Sequence, residues 1–129
     1  MKKKICLFCL GTGLWYLVEL IFRTIVHHRP PHLITCTIAG AALVLLDALL
    51  IKSTKYLFVK GLAVAAFITL FEYIIGYICN VKLQMHLWNY QGMFLNLHGQ
   101  ICFKFTLGWI VISEILIHLY ALLKHITQR

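Results

Sequence analysis

Four apolar runs, each long enough to cross a bilayer, constrain this sequence more than any other feature. Crossing ~30 Å of hydrocarbon as an α-helix takes about 20 residues, and the runs cover 5–26, 33–51, 56–80 and 101–123. With 61% hydrophobic and 12% charged residues, the chain is too apolar for an ordinary soluble domain. The sequence therefore predicts one all-α transmembrane domain, 1–129, built as a four-helix bundle with both ends on one side of the membrane.

The first run also resembles a secretory signal peptide, because it follows Met-Lys-Lys-Lys. Against cleavage, the run is long, contains Glu19 and Arg23, and has no small-x-small site near its end. We expect it to remain as the first helix. The second helix contains small residues, among them Gly40, that allow a neighbouring helix to approach closely.

The net charge of +8 predicts orientation rather than a nucleic-acid partner, because the basic residues stand at the ends of the runs and in short loops. Arg29 and Lys82 fall on one side, with Arg23 and Lys104 near its boundary. The opposite side receives Lys2, Lys3, Lys4, Lys52, Lys55, Lys124 and Arg129. The positive-inside rule then places both termini in the cytoplasm of a cell-membrane protein.

All four acidic residues lie inside predicted spans, one in each, and none lies in a loop. They are Glu19, Asp47, Glu72 and Glu114. An ionised carboxylate near the bilayer centre costs roughly 2.5–3.5 kcal/mol on insertion scales. Each acid is therefore expected to face the bundle interior and either to have a partner or to be protonated.

Depth along the helices separates the acids. Counting ~1.5 Å per residue puts Glu19 and Glu72 at one level, toward the outer side of the midplane. Glu114 falls near the midplane and Asp47 near the inner face. This acidic layer is a candidate site for a cation or a proton, and its candidate residues are Glu19, Glu72, Arg23, Trp15, Tyr73 and Glu114. Alternatively, the acids only join helices, since Arg23 follows Glu19 by four residues and can neutralise it.

A loop of about 20 residues, 81–100, lies between the third and fourth runs and is predicted on the outer side. Its length is typical of a functional lid, an interfacial helix or a re-entrant segment, and its aromatic residues also fit a belt in the headgroup region. The residues of interest in this outer loop are Trp88, Asn89, Tyr90, Asn96, Gly99 and Gln100.

No pattern indicates a metal, a cofactor or catalysis. Cys6 and Cys9 have redox spacing but begin an apolar helix, and the histidines of 27–32 lack an acidic or cysteine partner. The sequence leaves open a disulfide among Cys36, Cys79 and Cys102. It has no evident nucleophile–base pair, so we do not expect an enzyme.

The chain resembles a family of small bacterial membrane proteins described as putative ABC-transporter-type permeases. Helix one is similar through Gly-Leu-Trp-Tyr at 13–16, which leads to Glu19. The more specific motifs are Glu-Tyr-Ile-Ile-Gly at 72–76, Trp-Asn-Tyr at 88–90, Asn-Leu-His-Gly-Gln-Ile-Cys at 96–102, and Trp109. The chain has Asn89, Gln91 and Phe94 where the family pattern has Asp, Ser and Pro.

The resemblance implies transport without naming a substrate. Gly11-x-Gly13 lacks the Lys and Ser/Thr of a phosphate-binding loop, so ATP-driven transport implies a separate ATPase subunit, although only 52–55 and two short tails would be available to contact it. Four helices are few for a pore, which favours a homodimer. We therefore expect a permease or transporter subunit; the alternative is a membrane scaffold that binds lipid or a protein partner and uses its acids structurally.

Overall fold

Four helices in a computed structural model form the fold, which is described for residues 1–26, 30–53 and 55–127. They are α1 (Lys2–Val26), α2 (Leu33–Lys52), α3 (Leu57–Gly76) and α4 (Phe103–Thr127), and α3 continues as a π-helix over Tyr77–Lys82. Within these residues there is no strand, only an isolated bridge between Leu97 and Ile101. The predicted all-α class is confirmed.

Each helix is long and apolar enough to cross a membrane, and α3 forms one candidate span, Leu57–Lys82, with its π-helical continuation. The four predicted membrane helices are therefore confirmed. The histidine-rich part of the first loop, His27 to Arg29, lies outside the described residues, as do Thr54 and the basic C-terminal Arg129.

The chain divides into two compact units, Met1–Val44 and Leu45–Arg129. In the first unit, α1 contacts the beginning of α2 at Gly11 and Gly40. A Cβ atom at Gly40 would lie within 2.5 Å of the backbone oxygen of Phe8 and closer still to the Thr12 hydroxyl. A Cβ at Gly11 would lie 2.9 Å from the Cα of Gly40. Two glycines thus allow backbone-to-backbone packing, and the predicted close approach at Gly40 is confirmed.

In the second unit, α3 packs against α4, and the end of α2 joins them. Leu46 and Leu50 of α2 and Ile117 of α4 are almost completely buried. The Tyr120 hydroxyl donates to the buried carboxylate of Asp47. The Lys124 ammonium donates to the Leu50 carbonyl oxygen at 2.8 Å. Polar bonds therefore reinforce the apolar contact between α2 and α4.

The π-helix changes how the chain leaves α3. The Leu83 amide donates to the carbonyl oxygen of Ile78 at 2.9 Å, a step of five residues. Cys79 and Asn80 on this segment are buried. The predicted outer loop, 81–100, is observed as residues 83–102, here termed the connecting loop, because the helix extends beyond Asn80.

Candidate functional site

Glu72 joins three parts of the second unit. It lies on α3 and is only 6% exposed. The Tyr90 hydroxyl donates to Oε1 at 3.1 Å, and the Trp109 indole nitrogen donates to Oε2 at 2.9 Å. Tyr90 belongs to the connecting loop and Trp109 to α4. One carboxyl group in a membrane-spanning helix therefore holds both the neighbouring helix and the loop that joins them.

The loop backbone positions Tyr90 for this contact. The Tyr90 amide donates to the Gly99 carbonyl oxygen at 2.8 Å, which brings the two arms of the loop together. Gly99 has φ +69°, a conformation that favours glycine. The Tyr90 ring also stacks on Phe105 of α4 with 4.8 Å between centroids. The tyrosine is therefore held by its backbone, its ring and its hydroxyl.

A second polar cluster fixes the loop to the π-helix. The Asn80 amide nitrogen donates to Gln100 Oε1 at 2.8 Å, while Asn80 Oδ1 accepts from the Leu87 amide at 2.6 Å. The Trp88 indole donates to the backbone oxygen of Gln100 at 2.9 Å. A Cβ at Gly76 would lie 2.7 Å from both Gln100 Oε1 and the Trp88 ring, so this glycine makes room for the cluster.

The two remaining asparagines of the loop motif shape turns. Asn96 donates to the Met93 carbonyl oxygen at 2.9 Å and accepts from the Gly99 amide at 3.1 Å. Asn89 accepts from the Gln91 amide at 2.9 Å through its side-chain oxygen. An aspartate in place of Asn89 would accept the same bond, so the departure from the family pattern preserves the local turn.

The Tyr73 hydroxyl is directed at the connecting loop, and no hydrogen bond found among the described residues joins it to the Glu72 carboxylate. Its hydroxyl lies 3.0 Å from Nδ1 of His98, in the connecting loop. The His98 ring also lies beside Tyr77, with 5.9 Å between centroids and a near-perpendicular orientation. Tyr73, like Asn80, therefore helps to hold the connecting loop against the third helix, in this case through His98.

Glu19 has its own partners in the first unit. Trp15 donates from its indole to Oε1 at 2.9 Å, and Arg23 Nε lies 3.1 Å from Oε2. The Thr35 hydroxyl of α2 is 3.3 Å from the same oxygen. The predicted neutralisation of Glu19 by Arg23 is confirmed. Glu19 and Glu72 belong to different units, and their common depth stays a prediction.

Glu114 has a different environment from these two acids. Both of its carboxylate oxygens are inaccessible to solvent, and among the described residues neither has a hydrogen-bond partner. His118, one turn further along α4, has Nδ1 3.7 Å from Oε2. Of the predicted binding residues, the structure thus brings together Glu72 with the loop motif and Glu19 with Trp15 and Arg23, while Glu114 lies separately between α3 and α4.

The cysteine and histidine side chains that the structure describes form no evident metal centre. In the described part of the chain, no three His, Cys, Asp or Glu side chains come together around a common point. All five cysteines are free thiols, so the open disulfide among Cys36, Cys79 and Cys102 is not formed. Cys102 instead lies beside Met93 of the connecting loop, with 3.9 Å between the sulfur atoms.

Comparison with known families assigns the chain. The family model described as "Putative ABC-transporter type IV" matches residues 6–128, which is nearly the whole sequence. The chain belongs to this family. No curated protein and no solved structure matches it. As a type IV ABC-transporter family member with four apolar helices, it is a transporter-type membrane protein in contact with the lipid bilayer.

Three features of the type IV family member were not predicted from its sequence. They are the pairing of Glu72 with Trp109, the pairing of Glu72 with Tyr90, and the role of Asn80 in holding the loop. The available signal is that polar and small residues recur at steps of three or four in the third and fourth predicted helices and form stripes expected to face other helices rather than lipid. Glu72 and Asn80 belong to the first stripe and Trp109 to the second. The stripes indicated an interior but not which members meet.

Asn80→Ala is expected to loosen the connecting loop without unfolding α3 or α4. The substitution removes the bonds to Gln100 and Leu87, and a buried hydrogen bond contributes about 1 kcal/mol net. Hydrogen–deuterium exchange followed by mass spectrometry should show faster exchange over residues 83–102. Gln84→Ala is the control, because Gln84 bonds only locally to Val81 among the contacts described. Equal exchange in both variants would contradict this role for Asn80.

Proposed function

We propose that the chain is a membrane-spanning, permease-type subunit of a transport system and that it binds a cation or a proton at Glu72. The observation that carries the proposal is the buried Glu72 carboxyl group, located in a spanning helix and bonded to both the connecting loop and α4. A carboxyl group inside a membrane span is costly and is a functional-site candidate for that reason.

Ligand binding at Glu72 would be coupled to the connecting loop. A cation or proton at the carboxylate competes for the oxygen lone pairs that accept the Tyr90 and Trp109 hydrogen bonds. Weakening the Tyr90 bond releases one attachment of the loop, while the Asn80–Gln100 cluster retains another. The loop can then open locally without leaving the helices, which is the movement that a gate requires.

The remaining partners follow from charge and family. The positively charged residues favour an orientation with both termini on the cytoplasmic side of the cell membrane. Family membership implies a separate ATP-hydrolysing subunit, which would contact the short α2–α3 connection and the chain ends. A homodimer would supply the additional helices that a transport pathway needs beyond the four of one chain. Within this proposal the chain performs no catalysis itself and binds no nucleic acid.

A membrane scaffold is the second candidate function, favoured by the environment of Glu19. Its carboxylate has donors from Trp15 and Thr35 and an ion pair with Arg23. Such a set of partners stabilises a carboxylate without any ligand. If Glu72 served in the same way, the polar groups would only hold helices and loop together, and the connecting loop would bind lipid or a protein partner.

Glu72→Gln is expected to abolish a ligand response that the wild-type protein shows. The purified full-length chain is heated with a panel of metal cations and polyamines and across a range of pH, and its melting temperature is measured. At least one cation or acid pH should raise the melting temperature of the wild type, because a ligand that binds only the folded state stabilises it. Glutamine keeps one acceptor oxygen, replaces the other with an NH2 donor, and cannot bear the charge.

Glu19→Gln is the matched control and should keep the response. The Glu19 carboxylate is already compensated by Arg23, so its loss changes basal stability rather than ligand binding. A wild type that responds to no ligand, together with a destabilised Glu72→Gln variant, would overturn the binding proposal and favour the scaffold.

A further inference from the structure

Glu114 occupies the centre of a predicted membrane crossing. It is the twelfth of the 24 residues in the candidate span Phe103–Ile126. Its carboxyl group packs against Gly61 of α3, where a glycine Cβ would lie less than 2.5 Å from Oε1 and 2.6 Å from Cδ. The carboxyl group of Glu114 therefore fills the space that a side chain at position 61 would occupy.

The surroundings provide little to balance a negative charge at this point. Neither carboxylate oxygen of Glu114 has a hydrogen-bond donor among the described residues, and both are inaccessible. By contrast, Glu19, Asp47 and Glu72 all accept hydrogen bonds from side chains. Burying an ionised carboxylate without donors is far more costly than burying a neutral carboxylic acid.

One ionisable side chain, His118, lies near the Glu114 carboxyl group and could balance a negative charge only when the imidazole is itself protonated. On α4, His118 Nδ1 lies 2.8 Å from the Glu114 backbone oxygen, which can only accept, so Nδ1 carries a hydrogen directed at that carbonyl. The same nitrogen is 3.7 Å from Oε2. On α3, Lys60 precedes Gly61, but its ammonium donates to the Ser53 carbonyl oxygen. Across the unit, Asp47 is bonded to Tyr120.

We propose that Glu114 is a proton-binding site within the membrane. It holds a proton as a neutral carboxylic acid while the side chain packs on Gly61, and it exchanges that proton with the aqueous phase. The ligand is the proton itself, and no other reactant is needed. This site is distinct from Glu72, and the proposal does not depend on the proposed function. In a transport subunit, the site would link one step of transport to the binding of a proton.

Infrared spectroscopy of the full-length protein in ether lipid, which has no ester carbonyl groups, tests the proposal, because a protonated carboxyl group has a C=O stretching band that an ionised one lacks. At neutral pH the wild type should show this band, and Glu114→Gln should lose it. Glu19→Gln, Asp47→Asn and Glu72→Gln are matched controls that should retain it. These three also identify the band by elimination if Glu114→Gln fails to fold.

Gly61→Ala provides a second measurement at the same site. Its methyl group would occupy the position of the carboxyl group, so the band should shift in frequency or disappear. The proposal is overturned if the wild type lacks the band at neutral pH, or if the carboxylic C=O absorption of Glu114→Gln is as strong as that of the wild type. A proton held at Glu72 would give a band of its own, which Glu72→Gln removes and Glu114→Gln keeps, so failure here is distinguishable from failure of the proposed function.

Discussion

Trp109→Phe is expected to lower the free energy of unfolding by about 1.5–3 kcal/mol, the range for a hydrogen bond to a charged group. The phenyl ring keeps most of the apolar contact but removes the indole N–H that donates to Glu72 Oε2 at 2.9 Å. Because Glu72 is only 6% exposed, water cannot readily replace the lost donor. Thermal or denaturant unfolding of the purified protein measures the change.

Trp15→Phe is the matched control for this experiment. It removes the same group from another intramembrane glutamate at the same donor–acceptor distance, 2.9 Å. Glu19 keeps the Arg23 guanidinium 3.1 Å from its other oxygen, so the loss of stability should be smaller. If Trp15→Phe destabilises the protein as much as Trp109→Phe, the Trp109 bond has no special importance for the buried carboxyl group.

Gly40→Ala should destabilise the first unit by about 1–3 kcal/mol, the usual cost of forcing extra volume into a packed contact. The added methyl would meet the backbone oxygen of Phe8 and the Thr12 hydroxyl at less than van der Waals distance. Backbone cannot rotate aside as a flexible side chain would, so α1 and α2 must move apart. The melting temperature in detergent or lipid should fall accordingly.

The control for Gly40→Ala is Gly13→Ala. Gly13 lies on α1, next to the Thr12 that Gly40 contacts. A Cβ at Gly13 would meet nothing within 4 Å. Alanine is a better helix former than glycine by roughly 0.8–1.0 kcal/mol in a helix interior, so this substitution should leave stability unchanged or raise it. A fall equal to that of Gly40→Ala would show that glycine flexibility matters, and not close helix contact.

Local features of this fold were predictable from the sequence because they depend on fixed spacings. The apolar runs gave the helices, and a separation of four residues was enough to pair Glu19 with Arg23. Gly40 could be recognised as a contact residue since small side chains allow helices to approach. Each of these inferences needs only the geometry of one helix and the general properties of its neighbours.

The partners of Glu72 could not be predicted in the same way. Trp109 is 37 residues away on another helix, so the pairing depends on the relative rotation and depth of α3 and α4. Tyr90 depends on a loop in which the non-glycine residues Leu95 and His98 adopt positive φ. Such conformations are determined by tertiary contacts rather than by local preference.

The π-helix at Tyr77–Lys82 ends the third membrane span and sets the rotational phase with which the connecting loop begins. Deleting one residue there, which would restore regular α-helical winding, would turn everything that follows by ~100°. Asn80 would then leave Gln100, although Glu72 and the preceding turns of α3 would stay in place. A change of length at this point thus alters the direction in which the connecting loop leaves the third span, while the turns of α3 before Tyr77 keep their position.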